Sequence, residues 1–191
     1  MLRTRSFPSN KYAMVIVGRS FFLLVLLGLT MVLAAQTDDK VVLTGSSLAK
    51  GFDIGVESSE HKRDWLSKEP EYLKMAFPAY QDWAAVMVTV GKPKDSPRPF
   101  IDLSNHKTLS IEMRGQSGGE VIEIGIKSNI QPDTGEEIKV TKTLTPEWKT
   151  YTFPLSDFEG SDPKHLYVVA EFVYNDKTPQ TVYVRGIRYL K

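Results

Sequence analysis

The chain has 191 residues, no cysteine, and 24 Lys and Arg against 23 Asp and Glu. That length suits one domain with its own core, and the absence of cysteine excludes a disulfide scaffold, a zinc ribbon and a cysteine nucleophile. A net charge near zero gives no indication of nucleic-acid binding, and only three histidines, far apart in sequence, argue against a histidine-rich metal centre.

The N-terminal segment, residues 1–35, has basic residues and no acidic one, and it ends in an apolar run from Phe21 to Ala35. An apolar run of that length is typical of a signal peptide, whereas a membrane span needs about 20 apolar residues. Val32 and Ala34 provide small residues for cleavage after Ala34. We therefore predict a signal peptide, with an uncleaved membrane anchor as the alternative. In either case we expect the rest of the chain to lie outside the cytoplasm, as a secreted or extracytoplasmic domain. It would contact the membrane only through this segment.

Beyond the N-terminal segment, residues 36–50 are interpreted as a linker that could contain a first strand, and residues 51–191 as the folded domain. Short runs of alternating hydrophobicity, separated by turn residues, predict an all-β domain. The only candidate for an amphipathic helix longer than a turn or two is the segment around Asp64–Tyr72. The predicted strands are Tyr72–Phe77, Trp83–Val90, Lys107–Gly115, Glu120–Lys127, Glu137–Leu144, Trp148–Leu155, Leu166–Tyr174 and Thr181–Tyr189, with a first strand at Val41–Leu43 or Phe52–Val56.

These strands predict a two-sheet antiparallel β-sandwich, because an antiparallel sheet with one buried face and one wet face requires alternation. Pro154 is the one proline inside a predicted strand, so it should mark the end of an edge strand or the exit from the sheet. Trp148 has the opposite parity to the apolar residues of its strand. We therefore expect it to point outward or to cap the edge of the sandwich.

The strands Lys107–Gly115 and Glu120–Lys127 are predicted to form a hairpin through the glycine-rich turn 116–119. Ile111 and Ile124 are then expected in the core. If the two strands pair, their polar residues share one wet surface. That surface could be a solvated face with cross-strand ion pairs, or a platform for a polyhydroxylated ligand. Its polar members are Glu112, Arg114, Glu123 and Lys127.

Glu171 interrupts an otherwise apolar strand, so its carboxylate must be paired or must face a cleft. Pairing with Arg114 or Arg185 and ligand binding both remain open. A sugar-binding site also needs an aromatic plane, for which Trp65, Tyr80 and Trp83 are the exposed candidates. Trp83 is the preferred stacking residue, with core packing as the alternative for each ring.

Little in the sequence supports catalysis. No Gly-x-Ser-x-Gly elbow and no phosphate-binding glycine loop occurs. Pairs of glutamates, such as Glu123 and Glu171, raise the alternative of a small glycoside hydrolase. The chain is short for a domain that would hold both a cleft and its supporting shell, so we expect no enzyme activity.

Three segments carry a resemblance to a known class of domain: 107–115, 181–187 and, most specifically, Thr145–Phe158, where a tryptophan precedes an aromatic strand and Pro-Leu-Ser-Asp-Phe. From Phe52 to the C-terminus the chain resembles carbohydrate-binding modules with a galactose-binding-domain-like jelly roll, most closely those of the family 11 kind. The resemblance implies a concave sheet that binds a glycan chain through aromatic stacking and polar contacts.

The same resemblance bears on cofactors. Many such modules hold a structural calcium ion, and Asp53 and Glu57 could supply half of its ligands, but Arg185-Gly186 replaces the Asp-Asn pair frequent in the last strand. We expect no cofactor and leave metal ligands unassigned.

The resulting hypothesis is an exported, non-catalytic protein that binds a polysaccharide such as a β-glucan on the concave sheet, alone or beside a partner glycoside hydrolase. The alternative is an envelope protein-interaction module on the same fold. The predicted ligand-binding residues are Tyr80, Trp83, Glu112, Arg114, Glu123, Lys127 and Glu171.

Overall fold

The computed structural model of the chain describes residues 38–130, 137–175 and 177–191. The predicted export segment, residues 1–35, lies outside the described residues. The described residues form twelve strands and two short 3-10 turns, Leu155–Asp157 and Pro163–His165. The strands are β1 (Lys40–Thr44), β2 (Ser47–Leu48), β3 (Phe52–Ser58), β4 (Leu66–Lys68), β5 (Leu73–Phe77), β6 (Ala84–Val90), β7 (Thr108–Gly115), β8 (Val121–Ser128), β9 (Val140–Thr143), β10 (Lys149–Pro154), β11 (Leu166–Tyr174) and β12 (Gln180–Leu190).

Two antiparallel sheets make the sandwich, as predicted. Sheet A has the order β10-β7-β12-β1-β2, with β5 also paired to β12 and β4 paired to β5. Sheet B has the order β3-β6-β11-β8-β9. Both candidate first strands are real, since one is β1 in sheet A and the other is β3 in sheet B. Within the described residues, no helix is long and apolar enough to cross a bilayer.

The core lies between the two sheets and is built by the alternating strands. Ile111 of β7 and Ile124 of β8 are fully buried, which confirms the predicted parity of both strands. The central strand of sheet B, β11, is buried along its whole length. Strand alternation explains the first observation, whereas along β11 even the outward-facing Glu171 and Val173 are only 5% and 8% exposed.

The predicted β7–β8 hairpin is wrong. Strand β7 pairs with β10 and β12 in sheet A, whereas β8 pairs with β9 and β11 in sheet B. The turn crosses from one sheet to the other, and its amides bond elsewhere: the N–H of Gly119 donates to Leu144 at 2.9 Å and that of Gln116 to Thr181 at 3.0 Å. Alternation could not reveal this, because a strand needs the same pattern whichever sheet it joins.

Near the sheet edges, one expectation is confirmed and one is wrong. Pro154 is the last residue of β10, the edge strand of sheet A, and pairs with Thr108 just before the chain leaves the sheet, as expected. The candidate helix at Asp64–Tyr72 is absent, and the short strand β4 and a turn occupy that segment.

Trp65 is not exposed. It is 5% exposed and packs edge-on against Phe77 and Tyr174, with ring centroids 6.3 and 5.7 Å away. Its indole N–H donates to the backbone oxygen of Lys62 at 3.1 Å. This ring is therefore a core residue and is removed from the set of candidate stacking residues.

Candidate functional site

The outer face of sheet B carries most of the predicted site residues. Alternation sends every second side chain of these strands away from the core. We call this surface the sheet B face. Its members are Asp53, Gly55 and Glu57 of β3; Ala85, Met87 and Thr89 of β6; Glu171 and Val173 of β11; Glu123, Gly125 and Lys127 of β8; and Thr141 of β9, with Lys139 beside β9.

Glu171 lies at the centre of the sheet B face. The backbone register places it opposite Met87 on one side and Gly125 on the other, and it is only 5% exposed. The ammonium group of Lys139 lies 3.9 Å from its carboxylate. A Cβ atom at Gly125 would come within 3.0 Å of a carboxylate oxygen of Glu171, so the glycine provides the space in which that carboxylate lies.

This placement corrects one prediction for Glu171. Structural pairing with Arg114 or Arg185 is wrong, because those arginines lie on β7 and β12 of sheet A, on the other side of the sandwich. The basic neighbour, Lys139, lies close in space but precedes β9, and no spacing rule connects it to β11. A carboxylate held this far from water needs such a neighbour, because burial of an isolated charge is costly.

Other hydrogen-bonding groups surround Glu171 on the same face. Asn175, which follows β11, donates to the carboxylate of Glu123 at 2.6 Å. Lys127 lies 3.7 Å from the carboxylate of Glu137. Carboxylate, amide and ammonium groups therefore stand along the surface in fixed positions. Such groups accept from and donate to sugar hydroxyls.

A cleft of about 470 Å³ opens where the sheet B face meets the edge strand β3. Gly55 and Met87 form its floor, and Arg63 and Pro93 contribute to its walls. A Cβ atom at Gly55 would meet Pro93 at 3.2 Å, so the glycine lets Pro93 pack closely against this strand. On the far side of that wall, the hydroxyl of Tyr167 donates to the backbone oxygen of Pro93 at 2.7 Å and anchors the loop.

Glu57 forms the rim of this cleft and is held by two basic neighbours. Arg63 donates to it at 2.6 Å, and a ring nitrogen of His61 lies 3.1 Å away. Burial pushes the pKa of Glu57 upward, but the hydrogen bonds from His61 and Arg63 outweigh it and hold that pKa below its ordinary value. Glu57 is therefore ionised at neutral pH.

The carboxylates considered for calcium already have partners within the protein. Glu57 is occupied by Arg63, Asp53 accepts from the amide of Ile54 at 2.8 Å, and Arg185 brings a positive charge into β12. Within residues 38–130, 137–175 and 177–191, no three His, Asp or Glu side chains converge as a metal centre. Calcium needs several oxygen ligands around one point.

Trp83 and Tyr80 lie where the chain enters β6. Trp83 is 42% exposed and Tyr80 is 91% exposed. Trp83 shares its parity with Ala85 and Met87, so it belongs to the same side of the sheet as Glu171. The buried Gln81 fixes this turn, since its side-chain oxygen accepts from the amide of Glu60 at 3.0 Å. No pattern in the sequence indicates this role of Gln81.

Glu112 and Arg114 are on the opposite surface. Because β7 belongs to sheet A, these two side chains are separated by the whole sandwich from Glu123 and Lys127, and the single shared surface predicted for the four residues does not exist. Glu112 instead forms an ion pair with Arg185 at 2.5 Å.

Arg114 takes part in a group of stacked side chains on the outer face of sheet A, which we call the sheet A cluster. Its guanidinium carbon lies 4.0 Å from the ring centre of Tyr183 and 5.3 Å from that of Trp148. Arg185 lies 4.4 Å from the Trp148 ring, and Tyr72 packs edge-on against Tyr183 at 5.3 Å. Trp148 thus points outward, as its parity predicts.

Solved structures show which class of protein has this fold. A crystal structure of a family 30 carbohydrate-binding module matches with a TM-score of 0.58 and 19% identity, over 80% of this chain and 87% of that one. The family 30 module of a cellulosomal cellulase from Clostridium thermocellum matches with a TM-score of 0.52 and 21% identity, over 79% of this chain and 92% of that one. A mutant family 29 module in complex with mannohexaose matches with a TM-score of 0.55 and 13% identity, over 80% of this chain and 91% of that one. The fold is that of β-sandwich carbohydrate-binding modules.

A family model then identifies the family itself. The model Carbohydrate binding domain 30 matches residues 35–191, and the chain belongs to this family. No curated protein matches the chain. The resemblance to carbohydrate-binding modules is confirmed, whereas the closer likeness to the family 11 kind is not. Families of such modules are generally non-catalytic.

Proposed function

We propose that this chain is an exported, non-catalytic protein that binds a polysaccharide such as a β-glucan along the sheet B face. The observation that carries the proposal is the position of Glu171, which the strand register places on the outer face of the sheet, opposite Met87 and Gly125, and not in the core. A side chain that served the core alone would be apolar at this position. Family membership supports a saccharide as the ligand.

The sheet B face offers the two kinds of contact that a glycan chain requires. Glu171 and Glu123 accept hydrogen bonds from ring hydroxyls, and Lys139 donates them. Between these groups, Gly125 leaves the space in which the Glu171 carboxylate lies, and Gly55 leaves the space that Pro93 fills. Trp83 offers an exposed aromatic plane at one end of the face for the apolar side of a sugar ring.

The test compares two variants on the sheet B face with one variant on the outer face of sheet A. Titration calorimetry of the full-length chain with cellohexaose should show binding that Glu171→Gln weakens about tenfold or more, because a charged hydrogen-bond acceptor is lost. Trp83→Ala should weaken binding at least about fivefold, whereas Trp148→Ala, on sheet A, should leave it unchanged.

Two results would contradict the proposal. One is an unchanged affinity in both sheet B variants. The other is the absence of any calorimetric signal with cellohexaose, mannohexaose and a broad polysaccharide panel. The same samples should release no reducing sugar, since the proposed protein binds without cleaving.

One observation favours a protein partner as the second candidate. At the centre of the sheet B face, the described strands present no aromatic ring, because Gly55, Ala85, Met87 and Gly125 occupy those positions. A pull-down from envelope extract that recovers one stoichiometric protein and no glycan, lost in Glu171→Gln, would favour this candidate over the polysaccharide.

A further inference from the structure

The sheet A cluster holds one arginine in a fixed position without an acidic partner. Arg114 lies between the rings of Tyr183 and Trp148 at 4.0 and 5.3 Å, and it donates to the backbone oxygen of Gly115 at 3.1 Å. In the part of the chain that the structure describes, no carboxylate lies within ion-pair distance of Arg114. Stacking fixes the plane of its guanidinium group and therefore lowers the entropic cost of binding a planar anion.

A cavity of about 530 Å³ adjoins this cluster along β12. Its size falls within the range of about 300–1,000 Å³ for small-ligand sites. Arg185 and Arg188 line it together with the hydroxyl groups of Thr44, Ser110 and Thr150. Gly186, paired with Glu112 across the strands, also lines the cavity, and a Cβ atom there would lie 3.4 Å from the Glu112 side chain.

Arg188 distinguishes a binding site from a purely structural stack. It is exposed, it lines the cavity, and it makes no contact with the Trp148 or Tyr183 ring. Among the described residues it has no ion-pair partner either. A stack that served only to stabilise the sheet would need neither Arg188 nor the cavity.

The charge of this face opposes that of the domain as a whole. After residue 35 the chain has 20 basic and 23 acidic residues, since four of the 24 Lys and Arg precede that point. Yet the outer face of sheet A carries Arg114, Arg185, Arg188 and Lys74, against Glu112 and the nearby Glu69 and Glu71. A locally cationic surface on an acidic domain attracts an anionic ligand selectively.

We propose that the cavity and the sheet A cluster form a second saccharide site, selective for an acidic sugar of the uronate class. A guanidinium fork matches a carboxylate in a bidentate geometry, so Arg114 and Arg188 bind the uronate carboxyl groups while the hydroxyls of Ser110 and Thr150 bind the ring hydroxyls. Arg185 is already paired with Glu112 and holds that wall of the cavity in place. This site does not depend on the sheet B face.

The test uses the full-length chain, an oligogalacturonate, and the same oligomer with its carboxyl groups methyl-esterified. Calorimetry at low salt should detect binding of the acid form and at least about tenfold weaker binding of the ester, because the charge-assisted hydrogen bonds are lost. Arg188→Gln should weaken binding of the acid form about tenfold without changing the midpoint of thermal unfolding. Lys164→Gln, which removes an exposed charge elsewhere, is the matched control and should have less than about a twofold effect.

Several results would overturn this proposal: equal affinity for acid and ester, equal effects of Arg188→Gln and Lys164→Gln, no binding at all, or displacement of the oligomer by sulfate ion at the same concentration. Trp83→Ala and Glu171→Gln should leave oligogalacturonate binding intact. If they abolished it, the acidic sugar would bind the sheet B face. A failure of this proposal is thus distinguishable from a failure of the proposed function.

Discussion

The tryptophans of the chain should respond very differently to truncation, and Trp65→Ala is the most informative. Trp65 is 5% exposed, and a buried tryptophan removes about 150–250 Å² from water. At about 25 cal/mol per Å² this is worth roughly 4–6 kcal/mol, and a compact unfolded chain reduces the gain by about 10–40%. We expect Trp65→Ala to lower the free energy of unfolding by about 3–5 kcal/mol, in line with measured costs of such truncations.

The assay is urea unfolding followed by far-ultraviolet circular dichroism, with thermal unfolding as a second measure. A loss of that size should lower the unfolding midpoint by roughly 6–20 °C in a domain of this length. Trp83→Ala is the matched control, and it should cost no more than about 60% as much because the ring is 42% exposed. Equal costs for the two variants, or a near-neutral Trp65→Ala, would refute the assignment of Trp65 to the core.

Three other predictions follow from the fold, the N-terminal segment and the charges. Ile111→Ala and Ile124→Ala should each cost about 2–5 kcal/mol in urea unfolding, since both side chains are fully buried; near-neutral values would mean that the inner faces are misassigned. Residues 1–35 fused to a reporter should carry it out of the cytoplasm, and a cytoplasmic reporter would contradict the export hypothesis. The hydrogen bond from His165 lowers the pKa of Asp162 below its ordinary value, so this group stabilises the fold at neutral pH, and that contribution is lost as the pH falls below about 4. Asp162→Asn should therefore show a smaller loss of stability with acid than the parent chain, and an unchanged acid profile would argue against this contact.

Most of the fold could be predicted from the sequence because strand alternation and turn residues are local signals. Leu166–Tyr174 has the same bounds as β11, and the parity of Ile111 and Ile124 is correct. Sheet membership is different, because it depends on which strands meet across the sandwich. Nothing in the alternation of β7 and β8 states that their connecting turn crosses from one sheet to the other.

Because sheet membership could not be predicted, the predicted site combined residues that lie on different surfaces. The four polar residues placed on one surface divide into two pairs on opposite faces: Glu112 and Arg114 on sheet A, Glu123 and Lys127 on sheet B. The residues that complete each surface come from strands distant in the chain, such as Lys139 beside Glu171. The burial of Trp65 could not be predicted either, because Trp65 lies outside the regular strands and alternation therefore does not assign its ring to the inner or the outer face.

The most direct test of the central proposal is a map of amide chemical shifts in the full-length chain during titration with cellohexaose. The amides of Gly55, Gly125 and Glu171 report on the sheet B face, and those of Gly186 and Arg114 report on sheet A. The proposed function predicts shifts that saturate together at the first three and stay near zero at the last two. Shifts confined to Gly186 and Arg114, or no saturable shift at any of the five, would contradict binding of a neutral glycan to the sheet B face.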